Sequence, residues 1–540
     1  MKMNLENVQR LTRQAEWNLL NVRLPRFDIA AMREKTAEAP IWVHFGAGNI
    51  FRGFVARLQQ KLLNEGEADR GVIAVDTFDY DIIDKIYKPY DELIMMVGLK
   101  PDGTTEREIV AAVADSIKAD SADAGEMEKL RRIFTAPSLQ MASFTITEKG
   151  YTLRGMDGNL LPVVVEDMKN GPANAKHAMS MVTALMLERY KAGRYPIALT
   201  SMDNCSHNGE KLRSSIMEIV DAWADKGFVD DGFVAYMTDE NTVSFPWSMI
   251  DKITPRPAKV VEDALAADGI EDMAPIVTSR GTFIAPFVNA EIPQYLVVED
   301  NFPNGRPALE KAGVYMTDRD TVNRTERMKV TTCLNPLHTA LAVYGCMLGY
   351  TSIAKEMQDT ELKALVEHIG YDEGMPVVTD PGIIRPTDFI HEVLGQRFPN
   401  PFIPDTPQRI ATDTSLKMPI RFGETIKSYI ASDKLDVTAL TYIPLAIAGW
   451  LRYLLGIDDE GKPMEVSSDP LLDTLQKQLE GIRFGEPSSV GDKLRPILAN
   501  KEIFASDLVQ AGLADKIEGM FCELLAGPGA VRATLQKYLA

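Results

Sequence analysis

From residue 41 onward, short apolar runs of strand length alternate with longer stretches whose apolar positions recur at helical spacing. Runs at residues 41–45, 71–75, 92–97, 109–113, 139–147 and 195–201 read as strands, and residues 51–63 and 175–192 as amphipathic helices between them. Unbroken apolar runs mark strands buried on both faces, so this part of the chain predicts an α/β domain with a mainly parallel sheet. After about residue 318 the strand-length runs give way to long helical segments. The pattern thus divides the chain into an N-terminal helical arm over residues 1–40, broken at Pro25, an α/β domain over 41–318 and a mainly α-helical domain over 319–540. At 540 residues the chain exceeds what one hydrophobic core usually supports, which agrees with this division.

The first strand of the α/β domain runs into Gly46-Ala47-Gly48 and then into the helix at 51–63. Strand, glycine turn and helix in that order make a Rossmann-like nucleotide site. The glycines let the backbone approach a pyrophosphate, and the helix start offers free N–H groups and a positive dipole end. The third glycine of the usual GxGxxG pattern is absent, and Phe51 stands in its place. The second strand ends in Asp76, where a carboxylate can accept hydrogen bonds from a ribose 2′-hydroxyl and would repel a 2′-phosphate, which favours NAD over NADP.

Composition narrows the choices. A formal net charge of −19 argues against general nucleic-acid binding, which depends on Lys and Arg neutralising phosphates. The four cysteines lie far apart with no CxxC pair, which reads as a reduced cytoplasmic protein, and the six histidines show no zinc-ligand spacing, which leaves a zinc site without support but not excluded. The N-terminus has no apolar signal core. The longest apolar run, residues 440–457, carries Thr441, Pro444 and Arg452 and reads as a buried core helix rather than a membrane span.

Candidate chemistry concentrates in residues 329–345, KVTTCLNPLHTALAVYG. Asn335-Pro336 reads as a helix start, with Asn as N-cap and Pro in the first turn. That places His338 in the first turn, Asn335 beside it and Lys329 just upstream. Taken alone, the segment is better explained by a structural histidine and an ordinary cap.

Further segments change its weight. HFGAGNIFRGF at 44–54, FTITEKGY at 144–151, SMDNCSHNGEKL at 201–212, FPWSMIDKITP at 245–255, VVEDNFPNGRP at 297–307, RIATDTSLKMPIR at 409–421 and AIAGWLRYL at 446–454 together resemble, in order, the motifs of the polyol-specific long-chain dehydrogenases, the mannitol dehydrogenase family. The resemblance implies a Rossmann domain joined to a helical domain, and NAD-dependent, metal-independent interconversion of a keto-sugar and its alcohol. It implies general acid/base catalysis by Lys329, with Asn204 and Asn335 as paired amides and His338 in the active site. It further implies substrate contacts from Asp251, Arg409 and Lys417, a proton relay through Glu148, and a cofactor cradle of Gly46, Gly48, Asn49, Ile50 and Phe51 with Asp76.

The chemistry is coherent. Hydride transfer to a carbonyl carbon requires a proton on the oxygen. A lysine can supply it near neutral pH if its pKa falls from about 10.4 toward roughly 7–8, through burial or nearby cations such as Arg409 and Lys417. Two amides aimed at that oxygen form an oxyanion hole. One departure stands out: the five residues from Val330 to Leu334 separate Lys329 from Asn335, one more than in the family pattern. On a continuous helix an extra residue would rotate Lys329 by about 100°, so irregular backbone or a one-residue bulge is expected there.

The expected function is therefore interconversion of fructuronate and mannonate. Mannitol 2-dehydrogenase and tagaturonate reductase activities are the alternatives within the family. An epimerase that retains NAD, or a non-catalytic nucleotide-binding protein, is the alternative outside that chemistry. The expected partner is a small sugar acid or polyol, with no nucleic acid and no membrane, and no sequence feature specifies an oligomeric state.

Overall fold

A computed structural model describes residues 1–539. The chain divides into two units, Met1–Asn323 and the part from Arg324 onward. In the first, strands β1 (Trp42–Phe45), β2 (Val72–Asp76), β3 (Val113–Lys118), β4 (Met141–Phe144), β5 (Ile197–Ser201) and β6 (Val243–Ser244) form one sheet. Their order across it is β3-β2-β1-β4-β5-β6, and every neighbouring pair is parallel. This is the strand order of dinucleotide-binding sheets, in which ligands sit at the carboxyl ends of the strands where the order reverses.

Apolar runs build this sheet because helices cover it. Val43, Phe45, Val75, Ile117, Phe144 and Leu199 from the strands share one core with Phe134, Leu185 and Trp223. Those last three lie on helices α2 (Ala124–Thr135), α3 (Ala178–Gly193) and α4 (Asn208–Asp225), numbered after α1 (Ala56–Asn64), which follows the glycine turn. Each such buried side chain contributes about 1.5–3 kcal/mol relative to exposure.

The sequence expectation of one mainly parallel sheet needs correction at two runs. Residues 92–97 enter strand Ile94–Leu99 of a second sheet, antiparallel to Thr105–Val110 and parallel to Phe287–Glu291. The run at 109–113 is split: its start ends Thr105–Val110 in that sheet, and Val113 begins β3 in the other. The arm over residues 1–40 is not wholly helical, because Val22–Arg23 pairs in parallel with Thr105–Val110 as an edge strand.

The unit from Arg324 onward is helical and, among the described residues, holds no strand beyond isolated bridges. Helix α5 (Arg319–Met328) crosses the division between the units and continues toward α6 (Asn335–Met347). Helix α7 (Tyr442–Tyr453) is buried along almost its whole length and packs against α6 and α8 (Ala514–Leu525). Its start is capped from a distance: the Glu373 carboxylate accepts from the N–H groups of Tyr442 at 2.9 Å and Ile443 at 2.7 Å. Among the described residues, no helix is long and apolar enough to cross a membrane.

Candidate active site

At the end of β1 the chain turns through Gly46, whose φ of +107° is open to glycine, and a Cβ there would collide with the Thr145 carbonyl. A Cβ at Gly48 would meet nothing within 4 Å, so the backbone there lies under open space of the kind a pyrophosphate can enter. Asp76 is built into this turn. Its carboxylate accepts from Phe78 N at 2.8 Å, Asp79 N at 2.7 Å and Ala47 N at 3.3 Å. Burial pushes the Asp76 pKa up while those N–H groups pull it down, and the net shift is upward.

Phe51, in the place of the third glycine, is fully buried and stacks on His44 with ring centroids 4.4 Å apart. It thus provides the helix-to-strand packing that a glycine would otherwise allow, and leaves only its backbone for a ligand. His44 is structural: its ring nitrogens meet Ser143 Oγ at 2.6 Å and Thr145 Oγ1 at 2.8 Å, and burial pushes its pKa down to about 3. Asn49 and Ile50 are half-buried beyond Gly48, and Asn49 Oδ1 accepts from Arg52 at 3.3 Å. Arg52 escaped the sequence reading. It is a wholly buried guanidinium one turn past the glycines, donating to the carbonyls of Ala285 and Pro286 at 2.7 and 2.9 Å.

Two other motifs meet at the end of β5. Asp203 accepts from Ile146 N at 2.8 Å, Thr147 N at 3.0 Å and Tyr151 Oη at 2.6 Å, which joins the segment at 144–151 to that at 201–212. Asn208 donates to Asp203 O at 3.0 Å and Ser248 Oγ at 2.9 Å and accepts from Ser248 N at 3.0 Å. These anchors on either side hold the turn that carries Asn204, and through Ser248 they tie it to strand Ser248–Asp251, which ends in the buried Asp251. Glu148 lies at the surface, its side chain 62% exposed and ion-paired with Lys211.

In the helical unit, Lys329 opens a π-helical turn, Lys329–Cys333, between α5 and α6. Leu334, at φ −132° and ψ −64°, ends that turn. Pro336 is the physical cause of the restart: it lacks the N–H that would continue the ladder, and its ring crowds the preceding carbonyls. Asn335 is therefore the first helical residue and not the cap, which corrects the sequence expectation. Its Oδ1 is buried without a hydrogen-bond partner among the described residues, a state that costs about 1–3 kcal/mol unless a ligand relieves it. Lys329 is 2% exposed.

His338 sits in the first turn of α6, its ring 4.9 Å from that of Phe398. Its Nε2 lies 3.0 Å from Asp405 Oδ2, at ion-pair distance but outside hydrogen-bond alignment. Burial lowers the His338 pKa, Asp405 opposes that shift, and Arg421 and Arg409 reinforce it. Arg409 pairs with the same Asp405 carboxylate, its Nε 2.9 Å from Oδ1. Lys417 donates to the Ile410 carbonyl at 3.3 Å and to that of Thr412. Its pKa is pushed down to about 8, first by burial and then by Arg421 and Arg409. Arg421 reaches α6 and donates to Thr339 Oγ1, which itself donates to the Asn335 carbonyl at 3.0 Å.

The helical unit thus brings together His338, Arg409 and Lys417 from the sequence expectation and adds Asp405, Arg421 and Thr339. Arg421 could have been found, since it closes the segment at 409–421, whereas Asp405 lies in an irregular loop with no pattern around it. Among the described residues no group of three or more His, Cys, Asp or Glu could hold a metal ion.

Comparison with known proteins decides the family. The Mannitol dehydrogenase Rossmann domain matches residues 40–311, and the Mannitol dehydrogenase C-terminal domain matches residues 321–524. The chain belongs to the mannitol dehydrogenase family. It is similar to the D-mannonate oxidoreductase of Thermotoga maritima, with 54% identity over 99% of both chains. Among solved structures it resembles the ternary complex of Pseudomonas fluorescens mannitol 2-dehydrogenase with NAD and D-mannitol, with 25% identity, a TM-score of 0.69 and coverage of 99% of both chains. It also resembles a substrate-free D-sorbitol dehydrogenase, with 27% identity, a TM-score of 0.74, and coverage of 93% of this chain and 97% of that one. As a member of the mannitol dehydrogenase family, the protein is an oxidoreductase with a Rossmann domain and a helical C-terminal domain.

Proposed function

We propose that the protein is an NAD-dependent oxidoreductase that interconverts fructuronate and mannonate, with residues 41–318 holding the dinucleotide and 319–540 supplying the proton-transfer and substrate groups. The observation that carries this reading is the 54% identity, end to end, with a D-mannonate oxidoreductase. The open backbone at Gly48 and the Asp76 carboxylate fit a dinucleotide. NAD, when bound, supplies the hydride acceptor or donor.

The chain's own residues handle the proton and the charge. Lys329 gives a proton to the developing alkoxide in reduction and takes it back in oxidation. Asn204 and Asn335 hold that oxygen through their amides, a contribution typically worth about 3–4 kcal/mol per donor. Asp251 accepts from substrate hydroxyls, and Glu148 passes the proton toward solvent. Arg409, Lys417 and Arg421 give the helical unit a cationic cluster that can pair with a carboxylate.

Loss of NADH absorbance measured against fructuronate, tagaturonate and fructose tests the reading. The expected result is the highest kcat/KM with fructuronate. Preference for fructose would give the polyol activity instead, product without net NADH loss an NAD-retaining epimerase, and no turnover with any of the three a binding protein. Replacing Asp76 by Ser should relax the preference for NAD, and an unchanged ratio would remove Asp76 as the ribose ligand.

A further inference from the structure

Just past Asp76 the chain exposes an aromatic ring. Phe78 is 62% exposed, and the guanidinium of Arg280 lies over it, 5.0 Å from the ring centroid. Arg280 stands in the turn of a two-stranded hairpin, Ile276–Val277 with Phe283–Ile284. That turn is pinned to the β2 end. Thr278 Oγ1 donates to Asp79 Oδ2 at 2.6 Å, Ser279 N donates to Asp81 Oδ2 at 2.7 Å, and Thr282 N closes the turn on Thr278 Oγ1 at 3.0 Å. Two carboxylates just beyond Asp76 are thus spent on positioning the hairpin tip, which has no other evident task.

The charges there are unbalanced in a useful way. Asp76 is engaged with three backbone N–H groups. Arg280 makes no ion pair among the described residues and rests on the Phe78 ring. Tyr80 follows on the same segment, and its hydroxyl donates to the Ala119 carbonyl at 2.9 Å. Burial first, then Asp120 and Asp76, push its pKa up, and Arg280 opposes them. Asp76 accepts from the Phe78 N–H and Arg280 lies over the Phe78 ring, so an anion and a cation flank the same residue just past the second strand.

We propose that Phe78 and Arg280 form the platform for the adenosine end of the dinucleotide, with adenine stacking on Phe78 and Arg280 setting how strongly a 2′-phosphate is bound against the repulsion of Asp76. The proposal rests on the reading of the glycine turn as a dinucleotide site. An aromatic face accepts any base, and an added guanidinium strengthens the stack. A guanidinium without a carboxylate partner is also the group best shaped to chelate a phosphate.

Equilibrium binding of NADH and NADPH to the full-length protein, followed by titration calorimetry without substrate, tests it. In Phe78→Ala, affinity for both dinucleotides should fall about tenfold. In Arg280→Ala, NADPH affinity should fall about tenfold and NADH affinity by less than about threefold, and Arg280→Lys should recover most of the NADPH loss. The ratio of adenosine 2′,5′-bisphosphate to 5′-AMP affinity should shift in the same direction. A wild-type protein that binds neither dinucleotide would overturn the underlying reading and the proposal with it. Normal wild-type binding with an unchanged NADPH to NADH ratio in a folded Arg280→Ala protein would overturn the proposal alone.

Discussion

The backbone N–H of Leu334 donates to the carbonyl of Lys329 at 3.1 Å, a bond that spans five residues and closes the π-helical turn ahead of α6. The extra residue between Lys329 and Asn335 is taken up inside that turn, so the rotation of about 100° that it would impose on a regular helix is cancelled locally. Deleting Val330, the residue of the turn least buried, should therefore convert it to an α-turn and keep turnover within about tenfold. Lys329→Ala, with the proposed general acid removed, should lose roughly 10²–10⁴-fold while NADH binding stays near normal. Parallel kinetics of the two variants check this. A deletion as damaging as Lys329→Ala would show that the π-turn itself aims the lysine.

Asp405 holds up the basicity of His338 against burial and against two arginines. In Asp405→Asn the support is gone, so the imidazole should stay neutral to lower pH and the acid limb of the kcat/KM profile should move down. Nuclear magnetic resonance titration of the His338 ring provides the independent readout. An acid limb that stays in place would remove His338 from the titrating groups that matter.

Lys417 is expected to be a charged ligand only below about pH 8, because burial and the neighbouring arginines depress its pKa to that value. KM for a uronate should rise as pH passes upward through 8, while KM for a neutral ketose should change little. Lys417→Arg, whose guanidinium keeps its charge, should flatten that rise. Equal pH dependence of both KM values would exclude Lys417 from carboxylate recognition.

Glu356 is fully buried, and neither carboxyl oxygen has a hydrogen-bond partner among the described residues. It lies against Gly345, where a Cβ would collide with its Oε1, so the glycine makes room for it. Burial, with Asp405 and Asp359 adding to it, raises its pKa to about 9. The folded state then keeps a proton that the unfolded chain releases near pH 4.3, so stability falls as pH rises from that range toward about 9. Glu356→Gln should gain on the wild type progressively across that window in denaturant melts. Parallel pH slopes for the two proteins would contradict a neutral Glu356.

Much of the site was legible in the chain because it depends on local order. Strand, glycine turn and helix around Gly46, the acid ending β2, the lysine ahead of α6, and the asparagine and histidine in its first turn are all readable from neighbours in sequence. The second sheet was not, because Ile94–Leu99 has the same apolar character as a parallel core strand and its partner Phe287–Glu291 lies far along the chain. The role of Asn335 was misread because a cap and a first helical residue differ only in backbone geometry, which Pro336 and the π-turn decide together.

The sequence by itself determined the periodicities, the glycine turn and the chemical groups available, since these follow from residue type and spacing. Tertiary structure alone decided which charges face each other: Asp405 against His338 and Arg409, Arg421 against Thr339, Arg280 over Phe78. The physical reason is range. Apolar patterning and turn preferences act between near neighbours, whereas electrostatic pairing acts through space between residues that only the folded chain brings together.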